Sequence, residues 1–70
     1  MGELTKVYAT SGNDLYIGEA YVGTATSSAK WRIKKVVGYA TTVTAEYWAD
    51  RDTRFNKIWD NRATSYSYGP

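Results

Sequence analysis

Trp31-Arg32-Ile33-Lys34-Lys35 alternates ring, base, aliphatic and base. That period of two belongs to a strand, whose successive side chains point to opposite faces. Trp31 and Ile33 share one face with Lys35, while Arg32, Lys34 and Val36 take the other. No stretch of the chain sustains a helical period beyond a turn, so the sequence reads as short strands joined by turns. Beyond Lys34 the alternation slips, because Val36 and Val37 are both apolar, and a bulge is expected there.

Other runs follow the same pattern. Leu4 to Ala9, with Thr5, Val7 and Tyr8, has strand composition. Thr10 to Asp14 is a turn, since Gly12 and Asn13 tolerate positive φ and Ser11 and Asp14 bond to local amides. The next run, Leu15 to Ala20, puts Leu15 and Ile17 on one face and Tyr16 on the other, so the first two strands form a hairpin. Gly18 inside that strand marks a bulge or an aromatic neighbour packed close. Tyr21 to Lys30 is a crossing loop of small residues, and Gly38 to Thr42 is the next turn. Val43 to Tyr47 resumes the alternation, with Glu46 and Trp48 on the opposite face. Asp50 to Thr53 break that strand. Phe55, Ile58 and Trp59 then recur at helical spacing, which predicts one short helical turn near residues 54–60. Ala63 to Tyr68 closes as a final strand with Tyr66 and Tyr68 on one side.

The expected fold is therefore all-β, a small antiparallel β-sandwich or partly open barrel of about five strands. Residues 1–70 form one domain. A chain of this length buries only about 60% of the surface its unfolded form exposes. It has no Cys and no His, so neither a disulfide framework nor an ordinary zinc site supports it. Three Trp, seven Tyr and one Phe compensate with large apolar area. Assembly with neighbours is the other compensation available to so thin a core. The expected interior comprises Ile17, Trp31 and Ile33, with Phe55, Ile58 and Trp59 as a plug over an open end of the sheet.

The chemistry narrows by exclusion. Without His or Cys, no compatible acid–base or nucleophilic cluster is recognisable, and no enzyme activity is expected. Asp50, Asp52 and Asp60 lack the glycine and distal glutamate of a calcium loop and read as turn and cap residues. Gly23 to Ser28 is no phosphate loop, because no Gly-Lys-Ser/Thr follows it. No cofactor or metal is expected. No apolar run approaches the eighteen or so residues of a membrane span, and the N-terminus lacks the apolar stretch of a secretory signal.

Nine Lys and Arg against seven Asp and Glu give a net charge of +2, too mild to identify a nucleic-acid binder. Rings interleaved with Arg32, Lys34 and Lys35 could nonetheless stack bases and neutralise phosphates, as small barrels that bind single strands do. A half-buried strand produces the same alternation without any such role. As a contact surface, the candidates are Tyr21, Arg32, Lys34, Tyr39, Trp48 and Arg62, among which the Trp and Arg are types that dominate interface hot spots.

The blocks Tyr16 to Ala20 (YIGEA), Gly23 to Ser27 (GTATS), Trp31 to Ile33 (WRI), Trp48 to Asp50 (WAD) and Phe55 to Arg62 (FNKIWDNR), with a closing YSY, resemble a group of short proteins of tailed bacteriophages described as virion proteins. The resemblance runs over most of the chain from Tyr16 onward, and WDNR is its most specific part. The chain departs from it at Gly38 to Thr42 (GYATT), where that group has an Asp/Gly/Asn-rich turn. It departs again at Arg51 and Asp52, where Gly-Asn is common. The resemblance implies a structural component of the head, tail or fibre, located in the virion and bound to other virion proteins and to copies of itself. It implies no catalytic residue. The alternative function is a phage-encoded single-stranded nucleic-acid-binding barrel using Trp31, Arg32, Lys34 and Lys35.

Overall fold

The computed structural model describes residues 2–69. Four strands, β1 (Leu4–Ser11), β2 (Asp14–Tyr21), β3 (Ala29–Val37) and β4 (Ala45–Trp48), form an antiparallel meander in chain order. A two-residue strand, β5 (Lys57–Ile58), pairs with the start of β3, and the sheet does not close on itself. Two short 3₁₀ turns, Ala49–Arg51 and Trp59–Asn61, complete the regular structure. Among the described residues, no helix is long and apolar enough to cross a membrane.

The first hairpin is tight. Ser11 opposes Asp14, and Gly12, first of the two turn residues, has φ 60°. That is where a type II′ turn takes glycine, because its twist matches the strands on either side. Register then runs unbroken from Leu4 opposite Tyr21, through Val7 opposite Gly18, to the hairpin turn. It is also unbroken from Leu15 opposite Val36 to Glu19 opposite Arg32. The expected bulge after Lys34 is therefore absent. Val36 and Val37 lie on opposite faces of the unbroken strand, Val36 buried and Val37 half-buried. The irregularity in β3 falls instead between Ala29 and Trp31, where β5 pairs.

The sheet has a covered face and an open one. On the covered face Tyr16, Ala20, Trp31 and Ile33 make a core with Ala49 and Trp59, flanked by Val7, Ala9, Tyr66 and Tyr68. Trp31 and Ile33 are the largest side chains wholly removed from solvent, at 1% and 0% exposure. The residues after β4 form the lid. Tyr66 Oη accepts from the Ile58 N–H at 2.7 Å, and Tyr68 Oη donates to the Arg62 carbonyl at 2.8 Å. Tyr68 also meets Tyr16 edge to face, with centroids 5.4 Å apart. Asp50 clamps the tail reciprocally: its N–H donates to Ser67 O, and its carboxylate accepts from Ser67 N–H. These bonds take the place of the expected final strand. Tyr66 and Tyr68 do alternate toward the core, but Ala63 to Ser65 turn back on the Asn61 carbonyl and the segment joins no ladder.

Two further expectations change. Ile17 lies on the open face, half-buried, while its neighbour Tyr16 enters the core. Phe55, Ile58 and Trp59 do not share a helical face. Asp52 accepts the Arg54 N–H at 2.9 Å, a local carboxylate turn that competes with helix formation. Lys57 and Ile58 are then extended along β3, and the helical turn is displaced to Trp59–Asn61. Trp59 is thereby buried on the core side, Ile58 becomes a half-buried strand residue, and Phe55 goes elsewhere.

Candidate interaction face

Cross-strand pairing places Leu4, Lys6, Tyr8 and Thr10 of β1 on the open face, beside Leu15, Ile17, Glu19 and Tyr21 of β2. It continues through Arg32, Lys34 and Val36 of β3 to Glu46 and Trp48 of β4. Leu15 and Val36, directly opposite one another, are buried and form a small apolar footing at one end.

The other end carries a row of rings and cations. Tyr21 lies 5.7 Å from Phe55, centroid to centroid. The Arg32 guanidinium sits 4.8 Å from the Phe55 ring and 5.3 Å from the Trp48 ring, so it is held between two aromatic groups. Lys34 Nζ is also close to Trp48, 5.2 Å from its ring. Cations this close to ring faces are attracted by the ring quadrupole, by about 0.5–1 kcal/mol at exposed sites. Phe55, assigned to the plug from its spacing, is therefore a member of this row.

Every cation in the row also has a carboxylate. Arg32 bonds Glu19 through Nε, Lys6 approaches the same carboxylate at 3.4 Å, and Lys34 pairs with Glu46 at 3.0 Å. Partial burial pushes the Glu19 carboxyl up, but the Arg32 and Lys6 bonds outweigh it and leave it below the ordinary glutamate value. On the covered side Lys35 pairs with Asp14, whose carboxylate also accepts the Gly38 N–H at 2.9 Å. That backbone bond chiefly, helped by Lys35 and opposed by desolvation, holds Asp14 below its usual range.

Of the sequence candidates, Tyr21, Arg32, Lys34 and Trp48 are brought together. Tyr39 and Arg62 are not. Tyr39 is exposed in the turn after β3. Arg62 stacks on Trp59 at 4.5 Å and donates to the Trp59 carbonyl, bracing the lid. Sequence reasoning missed Glu19, Lys6 and Glu46, whose roles depend on cross-strand register. It also missed Lys57, which is only 5% exposed and donates to Asp52 at 3.0 Å and to Asn56. The Arg54 side chain and N–H, then Lys57, hold the Asp52 carboxyl far below the usual aspartate range.

Among the described residues, no cluster of three His, Cys, Asp or Glu could hold a metal ion. A shallow cleft of about 420 Å³ is lined by Asp50, Arg51, Ser67, Tyr68 and Gly69. Its Asp50 carboxylate is already engaged by the Ser67 amide, and burial pushes the Tyr68 phenol well above its usual range. No family model matches the chain, and no curated protein and no solved structure matches it either.

Proposed function

We propose that this chain is a structural subunit of a tailed-phage particle, acting by protein–protein contact through the open face of its sheet. Its partners in this reading are other virion proteins and copies of itself, and its place is the virion. The phage assignment rests on the resemblance of the motif series, of which Trp59-Asp60-Asn61-Arg62 is the most specific part. One observation carries the contact reading: the row Tyr21–Phe55–Arg32–Trp48–Lys34 is ring-rich, while its cations are already paired with Glu19 and Glu46. Flat rings flanked by satisfied charges suit a protein partner, since aromatic and Arg side chains anchor such interfaces.

The same pairing weakens the nucleic-acid alternative. Phosphate binding draws its free energy from cations that release counterions. Here Arg32, Lys34 and Lys35 each carry a carboxylate. Trp31, the ring expected to stack a base, is buried and donates Nε1–H to the Ala25 carbonyl at 2.9 Å. The deciding experiment is mass spectrometry of purified particles of a phage encoding this sequence. The expected result is the intact chain at stoichiometric copy number; its absence from particles overturns the proposal. A parallel titration with poly-dT at low salt should leave tryptophan fluorescence unchanged. Quenching that fades with salt would establish the nucleic-acid reading instead.

A further inference from the structure

β1 is the longest unpaired edge of the sheet. It spans Leu4–Ser11 and pairs only with β2, and among the described residues no hydrogen bond reaches its outer side. An edge of that length offers a row of free N–H and C=O groups, which natural proteins usually shorten, charge or cover. The opposite edge is treated in that way. β4 has only four residues, carries the exposed Glu46, and ends in a corner where Asp50 and Arg51 both have positive φ. On β1 the single charge is Lys6, drawn toward Glu19 on its own sheet. Four of the six exposed large apolar side chains lie at the same place, the other two, Tyr39 and Val43, being in the β3–β4 turn. Leu4, Tyr8, Tyr21 and Val22 lie on β1 or beside its start, where Leu4 opposes Tyr21 and the Val22 N–H donates to Glu3 O.

We infer that β1 pairs antiparallel with β1 of a second copy, about a two-fold axis normal to the sheet, joining the two meanders into one continuous sheet. The inference rests on the contact reading above only in taking copies of the chain as partners, and goes beyond it by adding the β1 edge to the open face. An antiparallel pair of identical strands on such an axis keeps each face continuous only if paired residue numbers have an even sum. Two registers satisfy this with nearly the whole strand paired. One centres on Val7 and sets Lys6 opposite Tyr8 and Thr5 opposite Ala9. The other centres on Tyr8 and sets Val7 opposite Ala9 and Lys6 opposite Thr10. Neither places like charges together, and both set a side chain of the second copy beside Tyr8, now 61% exposed. The strand is self-complementary as it stands. A heterologous β1–β4 contact would instead leave an open-ended stack, and the blunted β4 edge opposes it.

The test is molar mass by light scattering on the full chain, with Tyr8→Lys as the main variant. Either register sets the introduced ammonium against another across the two-fold axis. In the first register that partner is Lys6 of the second copy, and in the second it is the same substituted position. The expected result is twice the chain mass for the wild type and the chain mass for Tyr8→Lys, with an unchanged thermal melt at concentrations where both are monomeric. Val43→Lys, at a similarly exposed site in the β3–β4 turn, should remain a dimer. A second readout needs no variant: alternate β1 amides should exchange more slowly as protein concentration rises. A monomeric wild type, a Tyr8→Lys dimer, a Val43→Lys monomer or concentration-independent β1 exchange each overturns the inference. None of these results bears on whether the chain occurs in particles, so the two proposals fail separately.

Discussion

The Trp59 ring occupies the space that a side chain at position 18 would need. A Cβ on Gly18 would lie 2.5 Å from Trp59 Cε3 and 2.8 Å from Cζ3, with Val7 Cγ2 at 3.0 Å. Strand and lid are thus fitted to each other: the strand gives up a side chain and the lid supplies a ring. Trp59→Ala is expected to cost about 3–5 kcal/mol, the range for a buried aromatic truncated in a core. Gly18→Ala is expected to cost about 1–3 kcal/mol through overpacking. In the double mutant the alanine at 18 should cost clearly less than in the wild type, because the ring it collides with is gone and only the Val7 contact remains. Urea unfolding of the four species measures this coupling. Additive losses would mean that the contact does not set the packing.

Glu19 couples stability to pH. Its carboxyl is held below the ordinary value of 4.5, with burial opposing and Arg32 and Lys6 prevailing. A folded pKa depressed in this way contributes stability that is fully present above the unfolded value. It is lost as pH falls through the lower folded value. Wild type should therefore exceed Glu19→Gln in melting temperature at neutral pH, and the gap should narrow below about pH 4.5. The pair is partly screened by solvent, so the gap is small, within about 1 kcal/mol. A gap that widens on acidification would contradict the assignment.

Arg51 has φ 58° without being glycine. Left-handed backbone costs an L-residue roughly 1–2 kcal/mol, while glycine meets no Cβ clash there. The side chain returns little, since its contact with the Gly69 carbonyl is long, at 3.4 Å. Arg51→Gly is therefore expected to leave stability unchanged or raise it by up to about 1 kcal/mol, despite glycine's greater freedom when unfolded. Asp50 has a similar φ, 53°, but its carboxylate holds the Ser67 amide. Asp50→Gly should accordingly do worse than Arg51→Gly, and thermal melts of the two variants decide the order.

The alternation in β3 is readable because period-two patterning depends only on which face is buried. It places Trp31 and Ile33 inside and Arg32 and Lys34 outside, as the fold has them. In β2 the same reasoning picks the wrong face, because Ile17 and Tyr16 are both apolar and the sequence does not say which side receives the lid. Gly18 is readable as a site of close aromatic approach, though not as the seat of Trp59 in particular. The helical spacing of Phe55, Ile58 and Trp59 misleads because a local carboxylate turn at Asp52 and pairing with β3 outweigh a weak one-turn propensity. The ring and cation row is half visible. Its rings can be named, but the partners Glu19 and Glu46 are fixed by register between strands distant in sequence.

Lys57 depends on a carboxylate five residues before it. Its ammonium is almost wholly removed from solvent and bonds Asp52 Oδ2 at 3.0 Å and Asn56 Oδ1 at 2.6 Å, with the Tyr66 ring 5.8 Å away. Asp52 also holds Arg54, but Arg54 is exposed and can return to water. Removing one member of a buried pair strands the other charge, which is costlier than losing an exposed partner. Asp52→Ala should therefore lower the urea midpoint more than Arg54→Ala does. Replacing the stranded ammonium by an apolar chain of similar length should recover part of the loss, so Asp52→Ala with Lys57→Met is expected to be more stable than Asp52→Ala alone. A double mutant weaker than the single would show that Lys57 contributes through bonds other than the one to Asp52.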